Sequence, residues 1–457
     1  MDNKYKELRR NTLIIGVANL GSKAISFILA PLYSYWITVE QYGDMDLIIS
    51  TVLLLTPVVC LDIYDATFRF ASDSKYDNRT VLSVSLLFSF PCVALCAVIS
   101  VVSALILGNH LLAFSSIYLA LNLIESVLQQ YERGRNHLEI FAISGITDSV
   151  CLLLFNLVFL IGLRMQITGW IISVILAKVI ACSFLMVKSD CIRTFSLSSV
   201  RKDAVTDMLR FCIPLLPNTM MWWIMNLSDR YMIKIFVGAA ATGLYSVANK
   251  IPNILSIFEN VFYQSWQTST IMNLDRSDRE EFYSDVFNKY LGILAIGVIS
   301  LLAFSKELTW LLFDDKFRDA WPAIAPLIIG VMVHALSTNI GALYVAFKQT
   351  KGAFRTSLIG AITNIILNLL FIPRFGMVAA AYTTLIGYIV TFGSRWIDIR
   401  KYVKLSIRKS VIFYMTVLLL QTFLFYYPLK YSFYIRIAIA MVMVIRDYKL
   451  ILGLVRR

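Results

Sequence analysis

Charge is scarce in this sequence: Asp, Glu, Lys and Arg make up 16% of its 457 residues, where a soluble globular domain carries about 25%. Three further absences narrow the function. The seven cysteines, Cys60, Cys92, Cys96, Cys151, Cys182, Cys191 and Cys212, fall in apolar runs or expected cytoplasmic loops without CxxC spacing. They form no recognisable metal set and read as small core hydrophobes. No GxxxxGK[ST] loop is present, which argues against an ATP-driven pump. Every connection expected on the outer face is short, and loops under roughly ten residues rarely supply the carboxylates and donor-binding surface that a sugar transferase or polymerase requires. No catalytic group, metal or cofactor is therefore expected, and the chain reads as a non-enzyme.

What is abundant is apolar: 58% of residues are hydrophobic, more surface than one soluble core can hide, so the bilayer must serve as part of the solvent. A spanning helix needs roughly 20 apolar residues. Such runs extend over Thr12 to Thr38, Met45 to Phe68, Val81 to Leu107, Leu111 to Gln130, Phe141 to Leu163, Ile167 to Val187, Phe211 to Val237, Thr242 to Met272, Phe287 to Phe313, Trp321 to Phe347, Ala353 to Ile372 and Met377 to Trp396. Two shorter runs follow, Ser410 to Tyr426 and Phe433 to Ile445, the last carrying Arg436, for which a tilted or snorkelling helix is expected. The fold class is an all-α polytopic membrane protein of about 14 transmembrane helices.

With the N-terminus placed inside, the cytoplasmic segments collect thirty Lys and Arg, Arg395 among them, against five in the outer loops, Arg164, Lys316, Arg318, Arg374 and Lys430. That asymmetry sets the orientation. Both termini are expected in the cytoplasm of a bacterial inner membrane, and the formal charge of +13 reflects topology and anionic lipid contact rather than a nucleic-acid partner. The polar stretch from Lys188 to Arg210 divides the chain. The expected organisation is a six-helix lobe at 1–188, a cytoplasmic linker at 189–210, a second six-helix lobe at 211–399, and two extra helices with a basic tail at 400–457. The segments around Gly43 and Gly243, VEQYGDMDLIIS and AAATGLYSVANK, each join a first long helix to a second through a short turn, as internally repeated transporter halves would.

Ionisable groups at membrane depth each cost about 2.5 to 3.5 kcal/mol on insertion scales unless paired or hydrated. Lys23, Asp62, Asp65, Arg69, Glu125, Asp148, Lys178, Asp229, Arg230, Lys234, Lys250 and Glu259 all fall within or at the ends of apolar runs. Arg230 and Lys234, four residues apart, present two cations on one helix face, suited to an anionic passenger such as a pyrophosphate. Lys23, Arg69, Arg230, Lys234 and Lys250 are the candidate substrate-binding cations, and Asp62, Asp65 and Glu259 the candidate ion-coupling acids. The plainer alternative is internal pairing, with Lys23, Arg69 and Lys250 neutralising Asp62, Asp65, Glu125 or Glu259. His334 reads as a packing residue, and Lys306 and Glu307 as snorkelling side chains. Pro31, Pro57, Pro214, Pro217, Pro252 and Pro326 are expected to kink helices from inside.

The stretch from Leu209 to Ile271, with IPLLPN, SDRY at Ser228 to Tyr231 and LYSVANKIP at Leu244 to Pro252, resembles the polysaccharide transporter, or Wzx-like oligosaccharide flippase, family of the MOP superfamily. DIYDATFRFA from Asp62 and FIPRFGMVAAAYTTLIGY from Phe371 agree with it. The resemblance implies two six-helix lobes of MATE-like type around a central cavity, with two extra C-terminal helices. It implies a cationic path carrying an undecaprenyl-pyrophosphate-linked oligosaccharide from the cytoplasmic to the outer leaflet by alternating access, for O-antigen, capsule or exopolysaccharide synthesis. Arg230 carries over as a motif position; Lys23 and Lys250 are assigned by helix and depth. The expected partners are the lipid-linked oligosaccharide, membrane lipids and polysaccharide-assembly enzymes. The competing readings are an ion-coupled multidrug antiporter of the same superfamily, a membrane polysaccharide polymerase and a structural scaffold.

Overall fold

The computed structural model describes residues 21–450 except 74, 275, 428 and 429, and leaves aside the side chains of 192, 218, 222, 225, 226 and 350. The basic N-terminal stretch, the first part of the span expected from Thr12, and the tail from 451 lie outside the described residues. The chain divides into two compact units, Met1–Trp223 and Ile224–Arg457.

The first unit opens with α1, residues 21–36. Thr38 caps the next helix, α2 (Val39–Val59), its hydroxyl accepting from the Gln41 amide while the Gln41 side chain reaches back to the Thr38 amide. This reciprocal box satisfies two donors that a helix start leaves open. The run expected to continue to Phe68 is instead broken. Leu61 and Asp62 adopt left-handed backbone angles, φ 53° and 59°, and a short helix α3 (Ile63–Ala71) follows. Pro57 lies just upstream in α2, where its missing donor already weakens the last turn. Then come α4 (Asn78–Leu105), α5 (His110–Gly134), α6 (Leu138–Phe155) prolonged by a π-helical turn Asn156–Gly162, and α7 (Gln166–Lys188). The connecting stretch is more than a linker: it holds the short α8 (Cys191–Thr194) and the amphipathic α9 (Lys202–Cys212). Ala204, Met208 and Cys212 bury the inner face of α9 in the first unit's core with Ile63, Val81, Leu82, Val127 and Tyr131.

A 3₁₀ turn, Ile213–Leu215, leads into α10 (Leu216–Phe236), within which the boundary between units falls. The second unit repeats the broken-helix plan. Gly243 is the fifth residue of α11 (Ala239–Ala248), as Gly43 is of α2, and α11 is separated from α12 (Asn253–Met272) by the non-helical residues Asn249 to Pro252. Long helices α13 (Arg279–Leu312) and α14 (Trp321–Ala346) form the most enclosed part of this unit, with Ala295, Ile299, Ala323, Ile328, Ala335 and Leu343 fully buried. The two spans expected after Phe347 run together as α15 (Thr350–Ile399), bent at Gly376 where φ is 66° and ψ −148°. Finally α16 (Ser410–Tyr426) and α17 (Ser432–Arg446) pack on α13. Among the described residues, eight helices are long and apolar enough to cross a membrane by themselves.

Several expectations change at the side-chain level. Pro31, Pro57 and Pro326 do lie inside helices, but Pro214 sits in the 3₁₀ turn, Pro217 in the first turn of α10, and Pro252 at the start of α12. A helix start needs no amide from proline, so these positions accept it without a kink. Arg436 does not snorkel: it is 2% exposed, donates to the Leu302 carbonyl at 3.2 Å and pairs with Glu307. Glu307 is thus an ion-pair partner rather than a solvated side chain, and Lys306 lies 3.9 Å from the Trp321 ring centroid. With Arg436 buried, a carboxylate within reach makes pairing cheaper than reaching for the interface. Arg395 is likewise turned inward on α15 instead of standing in a loop.

Candidate functional site

In the first unit the break between α2 and α3 concentrates the acids. Asp62 is 1% exposed; its Oδ2 accepts from the Thr219 hydroxyl at 3.5 Å, and its Oδ1 is buried without a hydrogen-bond partner among the described residues. Asp65 stands on the first turn of α3, half-buried, in electrostatic reach of Asp62 and of Arg133 on α5. Both acids are therefore held near a helix N-terminus, whose open amides and dipole favour negative charge. Beside them lies a cavity of about 170 Å³ lined by Leu53, Pro57, Tyr64, Thr219 and Trp223 among others. Two acids with this little compensation can take up a proton or a small cation.

The expected cations of this unit are elsewhere. Arg69 pairs with Asp73 at 3.3 Å on the surface, and Lys23 is exposed with no ion pair among the described residues. Glu125 is neutralised not by Lys23 but by Lys178 at 2.5 Å, and Lys178 also holds Asp148 at 3.0 Å. Gln129 adds a hydrogen bond to Glu125 at 3.0 Å. This buried triad joins α5, α6 and α7 and is the first unit's clearest case of internal pairing.

In the second unit, Asp229 and Arg230 of the SDRY element are 4% and 8% exposed. Asp229 Oδ1 lies 3.5 Å from the Arg230 guanidinium, while its Oδ2 accepts from Tyr245 on α11 and from Thr384 on α15 at 3.5 Å. The Arg230 guanidinium also faces the Tyr245 ring, 5.9 Å from its centroid. A ladder of amides and hydroxyls continues inward: Asn364 donates to Thr384 at 3.3 Å, Asn368 to Asn364 at 3.1 Å, and Thr383 to Asn368. Lys234 follows one turn after Arg230 on the same face of α10, half-buried, and Lys250 occupies the joint between α11 and α12. The arrangement fixes Arg230 in a polar frame drawn from three helices, as a bidentate anion ligand needs.

Glu259 on α12 pairs with His334 at 3.0 Å and accepts from Thr338 at 2.8 Å, rather than meeting Lys250. His334, expected to pack only, is the partner of Glu259, and its ring stands 4.9 Å from that of Tyr388. The structure thus brings together Asp62 with Asp65 and Arg230 with Lys234, and sets Lys23 and Arg69 apart. Sequence reading missed Tyr245, Thr384 and Thr338, neutral residues that carry no depth signal, and the partnership of His334.

These features define a polytopic α-helical membrane protein of transporter architecture. The chain matches the sequence model of the family described as Polysaccharide biosynthesis protein over residues 8–266, more than half its length, and it belongs to that family. An uncharacterised membrane protein of Methanocaldococcus jannaschii is 23% identical over 84% of this chain and 96% of its own. A probable low-salt glycan biosynthesis flippase of Haloferax volcanii is 23% identical over 35% of each chain. Among solved structures, the lipid II flippase MurJ in an inward closed conformation superposes with a TM-score of 0.69 at 14% identity, over 96% of this chain and all of that one. An inward-facing multidrug resistance MATE transporter of the MOP superfamily gives 0.67 at 13% identity, over 86% and 96%. The fold is therefore the MurJ and MATE fold.

Proposed function

We propose that this protein flips a polyprenyl-pyrophosphate-linked oligosaccharide, undecaprenyl in a bacterial host, from the cytoplasmic to the outer leaflet of the cytoplasmic membrane, by alternating access and without covalent chemistry. The observation that carries the reading is Arg230: a nearly buried guanidinium in the family's SDRY element, held by Asp229 and backed by Tyr245. Family membership and the flippase name of the Haloferax volcanii relative support it. A guanidinium framed this way can meet a pyrophosphate bidentately as it leaves water. Lys234, on the same face, adds a second cation, and Lys250 and Lys23 remain candidate substrate-binding cations. Asp62, Asp65 and Glu259 are the proposed coupling acids, which must favour different ion occupancy in different states for a gradient to drive the cycle. The multidrug antiporter shares the fold; the framed arginine favours the anionic cargo.

Complementation tests this. Wild type and Arg230→Ala, Lys250→Ala and Lys23→Ala variants, at matched membrane abundance, are expressed in a strain lacking a surface-glycan flippase with a matching glycan. Wild type should restore surface glycan, and Arg230→Ala should lose most of it while lipid-linked precursor accumulates on the cytoplasmic side. Full rescue by Arg230→Ala would remove that residue from the path; wild type failing against a panel of glycan systems would remove the flippase reading.

A further inference from the structure

Arg395 is a cation that no acid among the described residues pairs with. It lies on α15, one turn before the helix ends, and its guanidinium is half-buried against α14 and the first part of α15. Nη1 donates to the Ser337 carbonyl at 2.8 Å and to the Ser337 hydroxyl at 3.2 Å. Nη2 donates to the Ser357 hydroxyl at 2.8 Å, and Nε to the Thr356 hydroxyl at 3.4 Å. All four acceptors are neutral oxygens, and the other side chains in electrostatic reach are Tyr344 and Tyr263. The acids on neighbouring elements are already committed. Glu259 is taken by His334 and Thr338. Asp398, one turn further along α15, is taken by Arg355 at 2.7 Å, Lys401 at 2.6 Å and the Tyr344 hydroxyl at 3.1 Å. Arg355 and Lys401 thus share one carboxylate at this end of the helix, and none is left for Arg395.

Buried charges are normally paired, because desolvation costs several kcal/mol per ion. Here the protein instead holds the planar fork rigidly with neutral acceptors. Arg carries five N–H donors, of which four are used, so one Nη2 proton remains and the positive charge is uncompensated. Gly341 completes the frame: a Cβ there would lie 3.0 Å from Nη1, so a small residue at that position leaves the guanidinium its place.

We propose that Arg395 is the recognition cation of a phosphate-oxyanion site on α14 and α15, distinct from the Arg230 element. Its oxyanion chemistry follows from the geometry alone; that the oxyanion is the pyrophosphate of the lipid-linked cargo rests on the flippase reading. Arg395 with Arg355 and Lys401 forms a positive end of the second unit that attracts a phosphate group before the deeper cations engage it.

The test uses the full chain in phosphatidylcholine nanodiscs, with three probes: undecaprenyl pyrophosphate, inorganic pyrophosphate and uncharged undecaprenol. A fourth arm replaces part of the phosphatidylcholine with phosphatidylglycerol as competitor. Arg395→Gln should weaken undecaprenyl pyrophosphate binding at least tenfold and leave undecaprenol binding unchanged. Arg395→Lys, which keeps charge but loses the fork, should fall between. If Arg395→Gln does not fold, as judged by monodispersity and thermal unfolding, Gly341→Ala displaces the fork while keeping the charge and should weaken the same probe several-fold. Arg395-dependent binding of inorganic pyrophosphate, or competition by phosphatidylglycerol, without preference for the undecaprenyl probe would keep the oxyanion site and count against the flippase reading. Unchanged binding of both pyrophosphates in the folded Arg395 variants, or in Gly341→Ala where those do not fold, would make Arg395 a hydrogen-bonding strut and overturn the proposal.

Discussion

Lys178 holds two carboxylates from two other helices, Glu125 at 2.5 Å and Asp148 at 3.0 Å, with only 14% of its side chain exposed. Removing one member of a buried ion cluster leaves the others uncompensated, which costs about 3 to 5 kcal/mol. Lys178→Ala should therefore lower stability by that order, whereas Lys178→Met with Glu125→Gln and Asp148→Asn should recover most of it. Unfolding of purified protein followed by tryptophan fluorescence reads the difference, and a single variant as stable as wild type would rule out the triad as a structural clasp. The sequence marks each of these groups as anomalous, because a charge inside an apolar run stands out on its own. It does not mark partners. Whether Glu125 meets Lys178 or Lys23, or Glu259 meets His334 or Lys250, depends on helix rotation, which alternation of apolar residues fixes poorly when most faces are greasy. Neutral framers such as Tyr245 and Thr338 leave no trace in the sequence for the same reason.

At the scale of elements, helix existence is legible and helix continuity is not. Every expected run beyond the undescribed terminus is helical, because a bilayer allows little else. The interruption at Leu61 and Asp62 is hidden, since Leu61 continues the apolar run and Pro57 lies four residues before it. Gly376 is a more readable bend: φ 66° with ψ −148° lies in a region essentially reserved for glycine. Gly376→Ala should cost about 1 to 3 kcal/mol, seen as a lower unfolding midpoint, while Gly393→Ala, where a Cβ meets nothing within 4 Å, should be nearly silent. Equal midpoints would show that the bend tolerates a side chain. Outside the membrane-spanning segments, α9 is pinned by Asp207, which accepts from Lys75 and from Tyr76 at 2.8 Å. Those two hydrogen bonds hold its carboxyl below the usual range. A depressed carboxylate contributes above its unfolded value, about 3.9, and the contribution is lost as pH falls through the lower folded value. Docking of α9 should thus be unchanged between pH 8 and 5 and loosen only in stronger acid, while Asp207→Asn loosens it at neutral pH. Amide exchange over residues 202–212 measures both, and protection lost already near pH 6 would refute the assignment.

For the whole molecule, the question left by the helices is which end of each faces the cytoplasm. The charge asymmetry predicts it from sequence, thirty cations against five, and the structure supplies the places to check. Lys316 and Arg318 sit in the 3₁₀ turn between α13 and α14, with Phe317 and Ala320 buried beneath them. Lys351 is exposed at the start of α15 and Lys404 is exposed after its end. Because α14 is a single uninterrupted span between the first site and the second, Lys316 and Lys351 must lie on opposite sides of the membrane if the helix crosses it. Because α15 holds two spans joined at Gly376, Lys351 and Lys404 must lie on the same side. Single cysteines at 316, 351 and 404, in a background with the seven native cysteines replaced by serine or alanine, should give one externally labelled site in intact cells, at 316, and two that label only after permeabilisation. If 351 and 404 label on opposite sides, the bend at Gly376 lies within one membrane-crossing helix and the chain has an odd number of spans. If 316 is the site protected in intact cells and the other two label, the fold stands but its orientation is inverted, and flipping would have to run from the opposite leaflet.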